Sequence, residues 1–227
     1  MKRLLLMFVL LLSYGLTHAQ NQNIHGAYLA KDGDVTHLWL FVDGYSSYIQ
    51  YKDGAYQSTW GGPYSEENGA IQVTVEYHDQ NPNEIGQQKK TDAKHSSNGI
   101  QMGNLNFQQQ TEKKQDLDGL WRITGRKQGE ELSEIPRGDR KTIKILVDGY
   151  FQWIAINPAE KGFYGTGGGN YTFNDGKYTE NILFFSRDDD RVGASLNFNG
   201  KIESGQWHHS GLSSKGDPIY EIWSRDR

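Results

Sequence analysis

The chain of 227 residues has no cysteine and only 5 prolines and 3 methionines. It therefore forms no disulfide, carries no thiol nucleophile and offers no cysteine for a lipid anchor. A surplus of positive charge is also missing, since the formal net charge is -4. Lys and Arg are scattered, and such a chain presents no electrostatic footprint to nucleic acid or an anionic membrane; neither is expected as a partner. Long apolar runs are absent apart from Leu4–Leu12, which falls far short of the roughly 20 residues a membrane span needs, so no membrane insertion is expected. No amphipathic stretch of helical length stands out. What the chain does have is 27 glycines and 13 tyrosines, a composition that predicts an all-β, turn-rich protein.

The apolar run reads as part of a transport signal over residues 1–19. Lys2 and Arg3 form its charged start, and Thr17-His18-Ala19 supplies the small residues before a cleavage at Gln20. The expected destination is secreted or periplasmic. Loss of Lys2 and Arg3, two positive charges with no acid among those residues, would take the net charge from -4 to -6.

The rest of the chain repeats itself. Asp43-Gly44-Tyr45 returns 105 residues later as Asp148-Gly149-Tyr150, and Gly61-Gly62-Pro63-Tyr64 returns at an offset of 107 as Gly168-Gly169-Asn170-Tyr171. Gly26-Ala27-Tyr28 pairs with Gly119-Leu120-Trp121 at an offset of 93, so repeat two carries about a dozen extra residues around Arg126–Gly138. A period of ~100 residues is domain-sized. The division expected is residues 20–112 and 113–227, joined by the polar stretch Gln108–Gln115. Period-two alternation, as in Thr142–Val147, marks half-buried strands, with Ile143, Ile145 and Val147 on one face and Thr142, Lys144 and Leu146 on the other. Asp43-Gly44, Asp148-Gly149, Asp175-Gly176 and Asn199-Gly200 are predicted hairpin turns. The fold class expected is all-β, two tandem antiparallel barrels. The first is either incomplete or closed by Leu105–Gln110, because repeat one has no obvious counterpart of Pro218–Trp223.

Gly119-Leu120-Trp121 opening a barrel-length unit, with Arg225 on its last strand, is similar to the lipocalin arrangement. There a tryptophan closes one barrel end and an arginine packs across the indole. Gly167–Tyr171, Lys177–Glu180 and Trp207–Gly211 resemble secreted lipocalin-like domains of unknown function from Bacteroidetes. The resemblance implies up-and-down barrels with an interior cavity, a closing pair Trp121 and Arg225, and no known chemistry.

The glycine run Gly165–Gly169 lacks the lysine and hydroxyl residue of a phosphate loop and leads into a strand, so a bulge or crowded strand crossing is expected. On the strand after Lys177, alternation sets Tyr178, Glu180, Ile182 and Phe184 on one face, whereas repeat one offers Ile71, Val73, Val75 and Tyr77. A carboxylate on an apolar face needs a partner or a ligand. Because Val73 occupies the matching place, Glu180→Val is expected to leave folding intact while weakening a ligand. Adjacent His208 and His209 point to opposite faces, so no metal site is expected, and no cofactor. Asp188-Asp189-Asp190 lacks the spacing of a calcium loop. The function expected is non-catalytic binding of a small apolar or amphipathic ligand in the second barrel. Trp153, Tyr171 and Trp223 would give contact surface, and Glu180, Arg187 and His208 would fix polar groups. Two readings stay open beside it. One is a polysaccharide- or protein-binding module using exposed aromatics; the other is a hydrolase using paired carboxylates such as Glu180 and Glu221.

Overall fold

A computed structural model describes residues 24–213 and 215–226; the proposed signal segment and Arg227 lie outside them. The first repeat runs β1 (Gly26–Asp32), β2 (Val35–Val42), β3 (Tyr45–Lys52), β4 (Ala55–Glu67), β5 (Ala70–Thr74), the short β6 (Tyr77–His78), β7 (Gln88–Ser96), β8 (Gly99–Met102) and β9 (Leu105–Gln109). The second runs β10 (Gly119–Gln128), β11 (Glu131–Glu134), β12 (Lys141–Val147), β13 (Tyr150–Asn157) and β14 (Gly162–Asn174). It continues through β15 (Lys177–Phe185), β16 (Ser195–Glu203), β17 (Gln206–Leu212) and β18 (Pro218–Arg225).

Each repeat is a closed antiparallel barrel of 8 strands. Among the described residues no helix is long and apolar enough to cross a membrane. The first barrel is complete. β9 pairs with β1 through Tyr28↔Gln109 and Leu29↔Gln108, so the segment Leu105–Gln109 takes the part that the longer β18 takes in repeat two. The extra residues of repeat two build the β10–β11 hairpin outside the barrel. Gln108 and Gln109 belong to β9, which leaves 110–118 as the connection.

Asp43-Gly44 and Asp148-Gly149 do turn the chain, with φ of 50°, 75°, 51° and 78°. Asp-Gly suits a two-residue turn because both positions need positive φ. Asn199-Gly200 does not: it lies inside β16, and the turn follows at Ser204-Gly205. Glycine is needed at 200 for space, since a Cβ there would sit 2.8 Å from the Phe173 ring and 3.2 Å from the Trp207 indole nitrogen. The glycine run in β14 is both a bulge and a crowded crossing. Register slips between Gly168 and Gly169, and a Cβ on Gly168 would meet the Phe151 carbonyl oxygen at 2.4 Å.

At the end of barrel two the Arg225 guanidinium lies 3.9 Å from the Trp121 ring centre and donates to the Asp118 carbonyl at 2.5 Å. Gly119 leaves room for it, because a Cβ there would come within 1.5 Å of the guanidinium. A stacked cation of this kind is worth about 0.5–2 kcal/mol. Arg225→Ala is expected to lower the midpoint of chemical denaturation by at least that stability. Arg225→Lys should recover little of it, because an ammonium has neither the flat face nor the fork of donors. Full recovery with lysine would show that charge alone matters.

The barrels meet through corresponding outer faces. Leu38, Leu40 and Ile49 from repeat one pack with their counterparts Ile143, Ile145 and Ile154, all fully buried. Gln152, equivalent to Ser47, accepts from Ser47 and donates to both Thr59 (3.1 Å) and its counterpart Thr166 (3.0 Å). Lys141 reaches across to Glu76 at 2.6 Å. The contact is thus the pseudo-two-fold kind that two copies of one domain make. It also reverses the ordinary reading of β12: its apolar face lies outside the barrel against the neighbour, while Lys144 and Leu146 point inward.

Candidate functional site

Alternation along four strands places the interior side chains of barrel two. Lys144 projects from β12, Glu180 from β15, His209 from β17 and Glu221 with Trp223 from β18, around a cavity of about 300 Å³. Its apolar wall includes Trp153, Ile182, Phe185, Leu196, Phe198 and Ile219.

Two hydrogen-bonded pairs lie inside. The Lys144 ammonium donates to Glu180 Oε1 at 2.9 Å, and the Tyr178 hydroxyl donates to the same oxygen at 2.8 Å. Lys144 also faces the rings of Tyr178, Trp207 and Trp223 at 5.3, 5.1 and 5.0 Å, which offset part of its lost hydration. Burial first, and the Glu180 charge next, hold the Tyr178 hydroxyl well above its ordinary pKa, so it remains a donor. In the second pair His209 Nδ1 lies 3.2 Å from Glu221 Oε2, which also accepts from the Trp223 indole at 3.1 Å. Burial would push the Glu221 carboxyl up, but His209, Lys144 and Trp223 outweigh it, and the carboxyl is held below its usual range.

His209 is 2% exposed, and burial lowers its pKa from the ordinary 6.5 despite the Glu221 contact. The neutral ring is therefore the folded form. A buried neutral histidine stabilises the fold fully above the unfolded pKa. That contribution falls away as pH drops below about 6.5, where the unfolded chain takes up a proton that the folded chain refuses. Between pH 6.5 and the lowered folded value, His209 should contribute a loss of up to about 1.4 kcal/mol per pH unit. Denaturant titrations at stepped pH are expected to show a shallower decline for His209→Met; equal slopes would place the ring in a site that accepts protonation.

Repeat one shows why these groups are not demanded by the fold. By strand register, Trp39 stands where Lys144 does, Val73 where Glu180 does, and the paired Met102 and Leu105 where His209 and Glu221 do. Trp60 matches Gly167, at which a Cβ would press on Phe185 (2.7 Å) and Trp153 (2.8 Å). In barrel one Trp39 packs on Phe41, Trp60 and Phe107 at 5.3–5.8 Å between ring centres. Where barrel one has these two indoles, barrel two has a lysine and a glycine, and the cavity opens beside them.

Of the residues chosen from sequence, Trp153, Glu180 and Trp223 line this cavity. Tyr171 is buried nearby, but its hydroxyl is committed to Asp118. Arg187 is exposed, beyond the bend at Gly165. His208 faces outward and meets the Tyr220 hydroxyl at 2.9 Å. Of the two adjacent histidines the sequence pointed to His208, whereas alternation from the buried Trp207 sets His209 on the cavity side. The sequence also set Lys144 on one strand face with Thr142 and Leu146, without marking it as a site residue. Among the described residues no group of three or more histidine and acidic side chains could hold a metal ion. No protein-family model and no curated protein sequence matches the chain.

Proposed function

We propose that this is an exported binding protein whose second barrel holds a small apolar or amphipathic molecule without transforming it. The observation that carries the reading is the cavity itself: about 300 Å³, walled by aromatic and aliphatic side chains, with a few convergent polar groups. That volume lies at the lower end of small-molecule sites, so the ligand is small. Export rests on the residue pattern of 1–19, and kinship with secreted lipocalin-like domains rests on the motifs of repeat two. Exposed aromatics, which a polysaccharide- or protein-binding surface would use, find little support: the large apolar side chains exposed among the described residues are Leu132, Ile202 and Leu212. A hydrolase using Glu180 and Glu221 would need one of them to be an acid of raised pKa, and Glu221 is held low.

Native mass spectrometry of the protein purified from its own host is expected to show a bound small molecule. Ala194→Trp, which fills a cavity-lining position with a bulky ring, should remove that mass while leaving the thermal midpoint close to the parent value. A parent protein without added mass, or a variant that retains it, would count against a binding site in barrel two.

A further inference from the structure

The polar atoms of the cavity are unequally satisfied. Glu180 Oε1 takes two donors, Lys144 is paired, and Glu221 Oε2 takes His209 and Trp223. Among the residues that line the cavity, His209 stands apart: its Nε2 is buried with no hydrogen-bond partner. His37, Trp39 and Trp207 also keep an unpaired ring nitrogen, but none of the three lines this cavity. The state of Nε2 follows from its surroundings. Glu221 can only accept, so Nδ1 carries the ring's hydrogen, and in the neutral ring Nε2 then presents a lone pair. Phe198 and Trp207 hold the ring between them, with centres at 4.3 and 5.1 Å, so it is not free to turn toward another partner. The other ionisable groups around it are Lys144 on β12, Glu180 and Tyr178 on β15, and Glu221 on β18.

An acceptor buried without a donor is costly, and repeat one shows that methionine fits the same place. The arrangement makes sense if something else supplies the donor. We propose that the molecule bound in barrel two carries a hydroxyl group which donates to Nε2 of His209, and that ligands ending in a free carboxylate are rejected. The rejection follows from charge: beside His209 two carboxylates already share the Lys144 ammonium, the Arg191 guanidinium on the lining is paired with Asp188 at 3.0 Å, and the unpartnered Nε2 is itself a lone pair. This rests on the binding reading above, and it narrows the ligand to a small apolar alcohol.

Three probes with one apolar body separate the terms: 4-phenyl-1-butanol, its methyl ether and 4-phenylbutanoate, each titrated calorimetrically into the full chain at pH 8. The alcohol is expected to bind at least ten-fold more tightly than either of the others. His209→Met should bring the alcohol down to the affinity of the ether and leave the ether unchanged. Should that variant misfold because Glu221 loses its partner, His209→Met/Glu221→Leu copies the pair that repeat one already uses and serves the same purpose. Equal binding of alcohol and ether by the parent, or an alcohol preference that survives the substitution, would overturn the hydroxyl assignment while leaving the cavity as a binding site. Failure of all three probes to bind would overturn the assignment together with the binding reading beneath it.

Discussion

Replacing Glu180 alone with valine is expected to destabilise the protein by about 3–5 kcal/mol, because it strands the Lys144 ammonium in the barrel interior. Both side chains of that pair are almost fully buried, 5% and 7% exposed, and the Nζ–Oε1 distance is 2.9 Å. The sequence suggested the opposite outcome, since Val73 fills the matching position in repeat one. Repeat one, however, changes both partners, setting Trp39 where Lys144 stands. Lys144→Met with Glu180→Val should therefore regain most of the lost stability and could exceed the parent, because a well-packed apolar pair often equals or betters a buried ion pair by about 1–4 kcal/mol. Chemical denaturation of the parent, both single variants and the double variant gives the cycle. If the double variant stays as unstable as Glu180→Val, the pair is not the reason, and lost packing around Tyr178 is.

The second large effect is expected on separating the barrels. Residues 113–227 contain every strand of a closed barrel, so the fragment should unfold cooperatively. It would also expose Ile143, Ile145, Val147 and Ile154, each fully or almost fully buried in the whole chain. Burial of one such side chain is worth about 1.5–3 kcal/mol. The same face pairs with its own counterpart in the intact protein, so the fragment has a ready partner in a second copy of itself. Light scattering after size exclusion should give twice the mass of one barrel, and Ile145→Glu should return the fragment to a monomer. A parent fragment that is monomeric and as stable as the whole chain would show that the barrels merely touch.

Much of the architecture was legible because it depends on local chemistry. Asp-Gly turns need positive φ, alternation marks strands, and a repeat of landmarks at a fixed offset marks two copies of one unit. Those rules located the hairpins at Asp43-Gly44 and Asp148-Gly149, the paired barrels and the crowded glycines of β14. They failed where a residue's meaning is set by something distant along the chain. Gly200 is a glycine because Phe173 and Trp207 press on it, not because the chain turns. Arg225 crosses to Trp121 from the far end of the repeat, a pairing that came from the lipocalin resemblance and not from those local rules.

The candidate site divides along the same line. Trp153, Glu180 and Trp223 could be named from face and residue type. His209 was within reach through its alternation with Trp207, but Lys144 was not, because alternation separates two faces without saying which is inside. The usual rule, apolar face inward, gives the wrong answer on β12: its isoleucines are buried by the neighbouring barrel, which turns the lysine toward the cavity. By itself the sequence determined the strands, the turns, the duplication and the odd carboxylate in repeat two, all consequences of steric and solvation preferences within a few residues. Only the tertiary structure decided which face each strand turns inward and which partner each buried charge meets, because those depend on closure of the barrel and on a second barrel that supplies the other apolar surface.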